Sequence, residues 1–268
     1  MHNLQLFAVR SLVLFLGLFT LAPLMTAQQA STPAGDVQQL VERSVKATRL
    51  FLEGHTEKPG VSTELREISR DHVQGKLVVR YRAFARGVDT STTYSAYTWP
   101  INAREPQPVV QGITFGKDGV ALCAGRTPNQ CGSHDKPDDP VDFALLPAPG
   151  EPFRLALIAD DKSNTLMFGV VPEPIAQSDR GCTLEAIRLL PKWELVMVRA
   201  KGLQPNQPLR FKSDSAGEIQ ENEGKSDPNG NYISAVLPFV NGKSTGSTNV
   251  RVTTPTCSPA IGFDWGKQ

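Results

Sequence analysis

Catalysis by a Ser-His-Asp hydrolase needs a base, and this chain offers few. Of four histidines, His2 lies in the apolar N-terminal segment, which leaves His55, His72 and His134. No Gly-x-Ser-x-Gly elbow accompanies them. His55 follows a helical pattern, His134 sits in a charged loop and His72 precedes a strand, so all three read as solvated or turn residues. Gly242-Lys243-Ser244 echoes the end of a phosphate-binding loop, but Leu237 stands where the earlier glycine is required. Asp135, Asp138, Asp139 and Asp142 crowd one Pro-rich loop, near Asp160-Asp161 in sequence. Paired carboxylates serve glycoside hydrolysis only when held at fixed separation across a cleft. Such a loop is a poor place to fix them. A hydrolase would have to bring its carboxylates together in three dimensions.

Two other groups are candidates for binding. Asp227, Asn229 and Asn231 alternate as oxygen ligands do in a calcium loop. Gly230 is the fourth residue rather than the sixth, and Pro238 stands at the twelfth place instead of a bidentate Glu. Asp-Pro-Asn-Gly is also fully explained as a tight turn, with Gly supplying positive φ. In TTYSAYTWP, Tyr97 and Trp99 fall on one strand face and Tyr94 on the other. An exposed aromatic strand would stack on sugar rings or anchor a protein partner; the alternative is core packing.

The four cysteines, Cys123, Cys131, Cys182 and Cys257, allow three pairings. Cys123–Cys131 with Cys182–Cys257 is favoured, because each pair then brackets one structural unit. Zinc fits these spacings poorly.

The elements that must position these residues begin with an export segment. Residues 1–27 carry one charge, Arg10, then an apolar run from Leu12 to Leu21, the helix breaker Pro23 and a cleavage point after Ala27. That order is the one a secretory signal peptide follows. Its removal leaves 27 Lys+Arg against 27 Asp+Glu, a formally neutral chain. A basic surplus for nucleic acid is therefore missing, and no later segment is apolar enough to span a membrane. Export also places the cysteines where disulfides persist.

Residues 28–35 are small and polar and read as a disordered linker. Asp36 is the expected N-cap of a helix whose stripe is Val37, Leu40, Val41, Val45 and Leu52, ended by Gly54 and docked on a sheet. From about residue 62 the period changes to two. Val79, Tyr81, Ala83 and Ala85 alternate with Arg80, Arg82 and Arg86, predicting one buried and one wet face. Further strands are expected in 92–101, 108–116, 119–123, 153–160 and 165–172, with Asp118-Gly119 as a hairpin turn. The polar stretch 176–181 reads as a boundary. Beyond it, seven short strands fit between Cys182 and Trp265, separated by turns such as Gln204-Pro205-Asn206 and Asn241-Gly242.

The runs RAKGLQPNQPLRF (199–211), DPNGNYISAVLP (227–238) and STNVRV (247–252) resemble the immunoglobulin-like modules of exported and cell-surface bacterial proteins. The resemblance implies an antiparallel sandwich over 182–268 and implies no activity. Otherwise the chain resembles uncharacterised exported bacterial proteins. Cys182 and Cys257 depart from the antibody pattern of mid-strand cysteines around a buried Trp; they tie the ends of the module together.

The reading is thus a mainly β chain, with an N-terminal helix on a β-rich domain (36–175) followed by an immunoglobulin-like sandwich. It points to a non-enzymatic exported binding or scaffolding protein. The partner would be a protein or glycan of the cell envelope, met in the periplasm or outside the cell, with no cofactor.

Overall fold

The computed structural model describes residues 34–103, 105–124, 131 and 138–266. The export segment, residues 28–33 of the linker, His134 and Asp135 lie outside the described residues.

Helix α1 (Ala34–Leu52) starts two residues before the expected cap. Asp36 therefore sits inside the first turn, where its carboxylate favours the positive end of the helix dipole. Val41, Val45, Thr48 and Phe51 form the buried stripe, while Leu40 is 49% exposed. Leu40 was expected in the stripe; it lies about 100° around the helix from Val41, on the solvent side. The helix ends as expected at Gly54, whose φ is +65°. The His55 amide donates to the Leu50 carbonyl at 2.8 Å and the Gly54 amide to Phe51 at 3.1 Å. These are the two bonds of a Schellman cap, which needs a residue free to take positive φ.

Two antiparallel sheets follow. In the first, β1 (Ser62–Val73) and β2 (Lys76–Arg86) form a long hairpin, and β6 (Asp142–Leu145) pairs with the other edge of β2. The second runs in the order β5-β4-β3-β7-β8. These are β3 (Tyr94–Thr98), β4 (Gln107–Phe115), β5 (Ala121–Cys123), β7 (Phe153–Ala159) and β8 (Thr165–Val170). The sheets meet at two corners. The Ala85 amide donates to Gly119 at 2.9 Å, and the Thr63 hydroxyl donates to the Met167 carbonyl at 2.8 Å. Between them Tyr94, Phe115, Phe143, Leu155, Leu157 and Phe168 close one core. On β2, Val79, Tyr81, Ala83 and Ala85 are buried and Arg80, Arg82 and Arg86 are not, as the alternation predicts.

The last third is a sandwich of two four-stranded sheets. One has the order β14-β11-β10-β9, with β9 (Ile175–Asp179), β10 (Cys182–Arg188), β11 (Val196–Lys201) and β14 (Tyr232–Val236). The other has the order β13-β12-β15-β16, with β12 (Pro208–Ser215), β13 (Glu218–Lys225), β15 (Gly246–Thr253) and β16 (Ala260–Trp265). Lettered from Cys182 as A, B, C, C′, E, F and G, the strands fall into E-B-A and C′-C-F-G. That division is the immunoglobulin-like one. The stretch expected as a boundary is instead mostly β9, an extra edge strand on β10. Its polar sequence suits an edge whose side chains face water. Both disulfides pair as favoured, Cys123–Cys131 and Cys182–Cys257.

Helix α1 touches both β units. Val41 and Val45 pack on Ile187, Leu195 and Met197, the outer face of β10 and β11. Phe51 reaches β8, where a Cβ on Gly169 would sit 2.6 Å from the Phe51 carbonyl carbon. A second link runs through Gly150, which donates to the Glu173 carbonyl at 2.7 Å and accepts from the Arg188 amide at 2.8 Å.

Candidate functional site

The three aromatic residues singled out in the sequence do not form one platform. Tyr94 is 1% exposed and meets Phe115 edge-on at 5.5 Å. It is a core residue and cannot face a ligand. The reason is strand alternation, since Tyr94 and Ala96 share the face that closes the core. Tyr97 lies half-buried on the opposite face. Trp99 follows the end of β3, half-buried, with its ring 5.6 Å from that of Phe51.

Asp227 is held by its own turn. One carboxylate oxygen accepts the amides of Asn229 and Asn231, each at 2.8 Å. Gly230 has φ +73° and packs against the Leu203 carbonyl, which leaves no room for a Cβ. The structure thus gives Asp227, Asn229 and Asn231 the geometry of a turn, with the carboxylate already committed to backbone amides. Among the described residues no three His, Cys, Asp or Glu side chains gather in a metal-holding group. Lys243 donates to the Ala216 carbonyl at 2.8 Å, within a surface turn. His72 is exposed near the β1–β2 hairpin tip. The acidic residues are dispersed. Asp142 pairs with Arg82 at 2.7 Å, whereas Asp160 accepts from the Ser95 hydroxyl at 2.9 Å.

A cleft of about 380 Å³ opens where β6 faces the ends of β3 and β7, close to the junction of the two β units. Its walls include Trp99, Phe143, Leu145, Pro152 and Phe153. Its rim carries two of the most exposed apolar side chains among the described residues, Leu146 at 67% and Val109 at 51%. Exposed apolar groups around a concave, largely apolar surface make this cleft the candidate site.

Three charged side chains line this cleft. Asp142 is paired with Arg82, and Glu151 with Arg188 on the sandwich. Arg154 is different. Its Nε donates to the Trp99 carbonyl at 3.0 Å, and it is in none of the salt bridges among the described residues. Burial pushes the Arg154 guanidinium below its ordinary value, and the negative charge of Glu151 partly restores it.

Sequence reasoning singled out Trp99 and Asp142 but missed the rest. The available signal was the run LLPAPGEPF at 145–153, where apolar residues stand among prolines and glycine. Such a run cannot form a regular strand or helix interior, so exposed leucine there is unusual.

No family model matches the chain, and no curated protein is similar to it. Among solved structures it is similar to a tetra-tandem repeat from the extending region of a large adhesion protein. That match has 10% identity and a TM-score of 0.22, and covers 78% of this chain and 48% of the other. A DUF3823 family protein from Bacteroides ovatus matches at 8% identity and TM-score 0.19, covering 76% and 99% of the two chains. The BSP domain of a biofilm-associated protein matches at 7% identity and TM-score 0.19, covering 85% and 54%. The chain spans about half the length of the adhesion-protein structure. Superposition this loose carries no argument about activity.

Proposed function

We propose that this chain is a non-enzymatic exported binding or scaffolding protein of the cell envelope, and that the cleft beside Trp99 is where it binds. The observation that carries the reading is the cleft itself. Its volume falls within the roughly 300–1,000 Å³ of ligand sites, and its walls are apolar with few polar groups. Both of its carboxylates are engaged by arginines, Asp142 by Arg82 and Glu151 by Arg188. The two disulfides support a working place outside the reducing cytoplasm.

A second reading, glycan binding on the Tyr97/Trp99 face, loses Tyr94 to the core and has Trp99 in the cleft. Trp99 lines the cleft, so a sugar ring could stack there.

The test is an NMR titration of the chain lacking residues 1–27, with one panel of peptides and one of envelope oligosaccharides. Shifts at the Trp99 indole and the Leu146 amide, abolished by Leu146→Asp, are expected. Ligands that perturb only residues remote from the cleft, or that bind the Leu146→Asp protein unchanged, would rule it out.

A further inference from the structure

The cleft has one wall that is not made of side chains alone. Among the described residues, strand β6 is an edge strand, paired with β2 and with no other strand. All four of its residues, Asp142 to Leu145, line the cleft. In an antiparallel ladder, alternate residues turn their N–H and C=O groups away from the partner. Among the described residues the outward groups of β6 are therefore an open backbone edge beside an apolar hollow. Its short length keeps it from being a general aggregation edge.

The charge of the cleft is just as specific. Asp142 and Glu151 are each in a salt bridge with an arginine from outside the cleft lining, whereas Arg154, though it feels the charge of Glu151, is in none of the salt bridges among the described residues. One of its five N–H donors is used on Trp99. The hydrogen bond that Arg154 makes among the described residues uses Nε and leaves the two terminal nitrogens of its fork available. A partly desolvated cation of this kind is stabilised by a carboxylate that meets the fork with two parallel bonds.

We propose that the cleft takes the C-terminal end of an extended peptide: the β6 edge pairs with the peptide backbone, the apolar walls take its last side chain, and Arg154 receives its terminal carboxylate. This rests on the cleft being the binding site. Strand addition to a free edge and capture of a chain terminus are both established ways for proteins to hold peptides. A saccharide fits less well. Once the two ion pairs are set aside, Thr98, Arg154 and the Trp99 indole N–H are the polar side-chain groups left in the lining for its hydroxyls. A simple amphipathic acid would satisfy Arg154 and the walls but would leave the β6 edge unused.

The test begins with a displayed random library of peptides with free C-termini, selected on the chain lacking residues 1–27. Enrichment of peptides ending in an apolar residue is expected. The best of them is then synthesised as the free acid, as the C-terminal amide, and with single backbone amides N-methylated. The amide should bind about tenfold or more weakly, the effect of losing one charge-assisted pair. N-methylation should weaken binding at alternate positions only. An Arg154→Met protein, checked by thermal melting, should bind acid and amide alike. If it fails to fold, the acid–amide comparison on the unaltered protein still decides. Equal binding of acid and amide, or no enrichment from free C-termini, overturns the proposal. If instead an oligosaccharide or decanoate shifts Trp99 and loses that effect in Leu146→Asp, the cleft stands as the site and the peptide assignment falls. Shifts confined to other surfaces remove both.

Discussion

Glu185 lies directly across from Arg199 in the β10–β11 ladder, on the outer face of the sandwich. One carboxylate oxygen accepts from Arg199, at 2.7 Å from its terminal nitrogen, and the other from Lys201 at 3.0 Å. Burial alone would raise the Glu185 carboxyl, but Arg199 and Lys201 outweigh it and hold the group below its ordinary value of 4.5. A depressed carboxyl contributes stability that is present above the unfolded value, here about pH 4.5, and is lost as pH falls through the lower folded value. Glu185→Gln should therefore be less stable than the parent at neutral pH, and the gap should close as the pH drops below about 4.5. Urea unfolding at several pH values measures this. A gap that is constant from pH 7 to pH 3 would show that the triad is not coupled to folding. At this same scale the sequence was readable where chemistry is local. Asp227 with Gly230 was legible as a turn because a side chain bonding its own backbone needs no distant partner. Arg154 was not legible. Its open fork depends on Glu151 bonding to Arg188, and those two are 37 residues apart.

Among the elements, α1 does the joining. Its stripe of Val41 and Val45 was readable from helical spacing, but its partners were not. One end lies on β10 and β11 and the other against β8. Gly169 makes the second contact close, since an added Cβ would meet backbone atoms of Phe51 at 2.6 Å and Leu52 at 2.8 Å. Backbone cannot swing aside as a side chain can. Gly169→Ala should therefore push α1 off β8 and destabilise the protein by about 1–3 kcal/mol, the usual range for overpacking. Chemical denaturation gives the magnitude, and faster amide exchange in α1 locates it. Melting unchanged from the parent would mean that the helix is not held there. The β9 strand shows the opposite limit of sequence reading. Its residues Ile175–Asp179 carry little apolar periodicity, because an edge strand on a sandwich contributes few side chains to the core.

For the whole molecule the two disulfides act on very different loops. Cys123–Cys131 spans a sequence separation of 8, and Cys182–Cys257 one of 75. On the chain-entropy model they stabilise by about 2.6 and about 4.5 kcal/mol. Replacing Cys182 and Cys257 together with alanine should lower the melting temperature more than replacing Cys123 and Cys131. Differential scanning calorimetry of the two variants compares them, and the reverse order would show that the long loop is already constrained without its bond. The long staple joins the start of β10 to the turn between β15 and β16, so it clamps the two sheets of the sandwich at one end. The strand runs, the hairpin turns and the seven-strand rhythm from Cys182 onward were determined by the sequence alone, because period-two burial and turn chemistry act over a few residues. The disulfide partners followed once each cysteine pair was assigned to one unit. The cleft was decided by tertiary structure only. Its lining is drawn from residues between Thr98 and Pro172, on separate strands and one Pro-rich connection. Concavity, an open strand edge and an arginine fork left clear of the ion pairs are relations between those segments, and no local pattern encodes them.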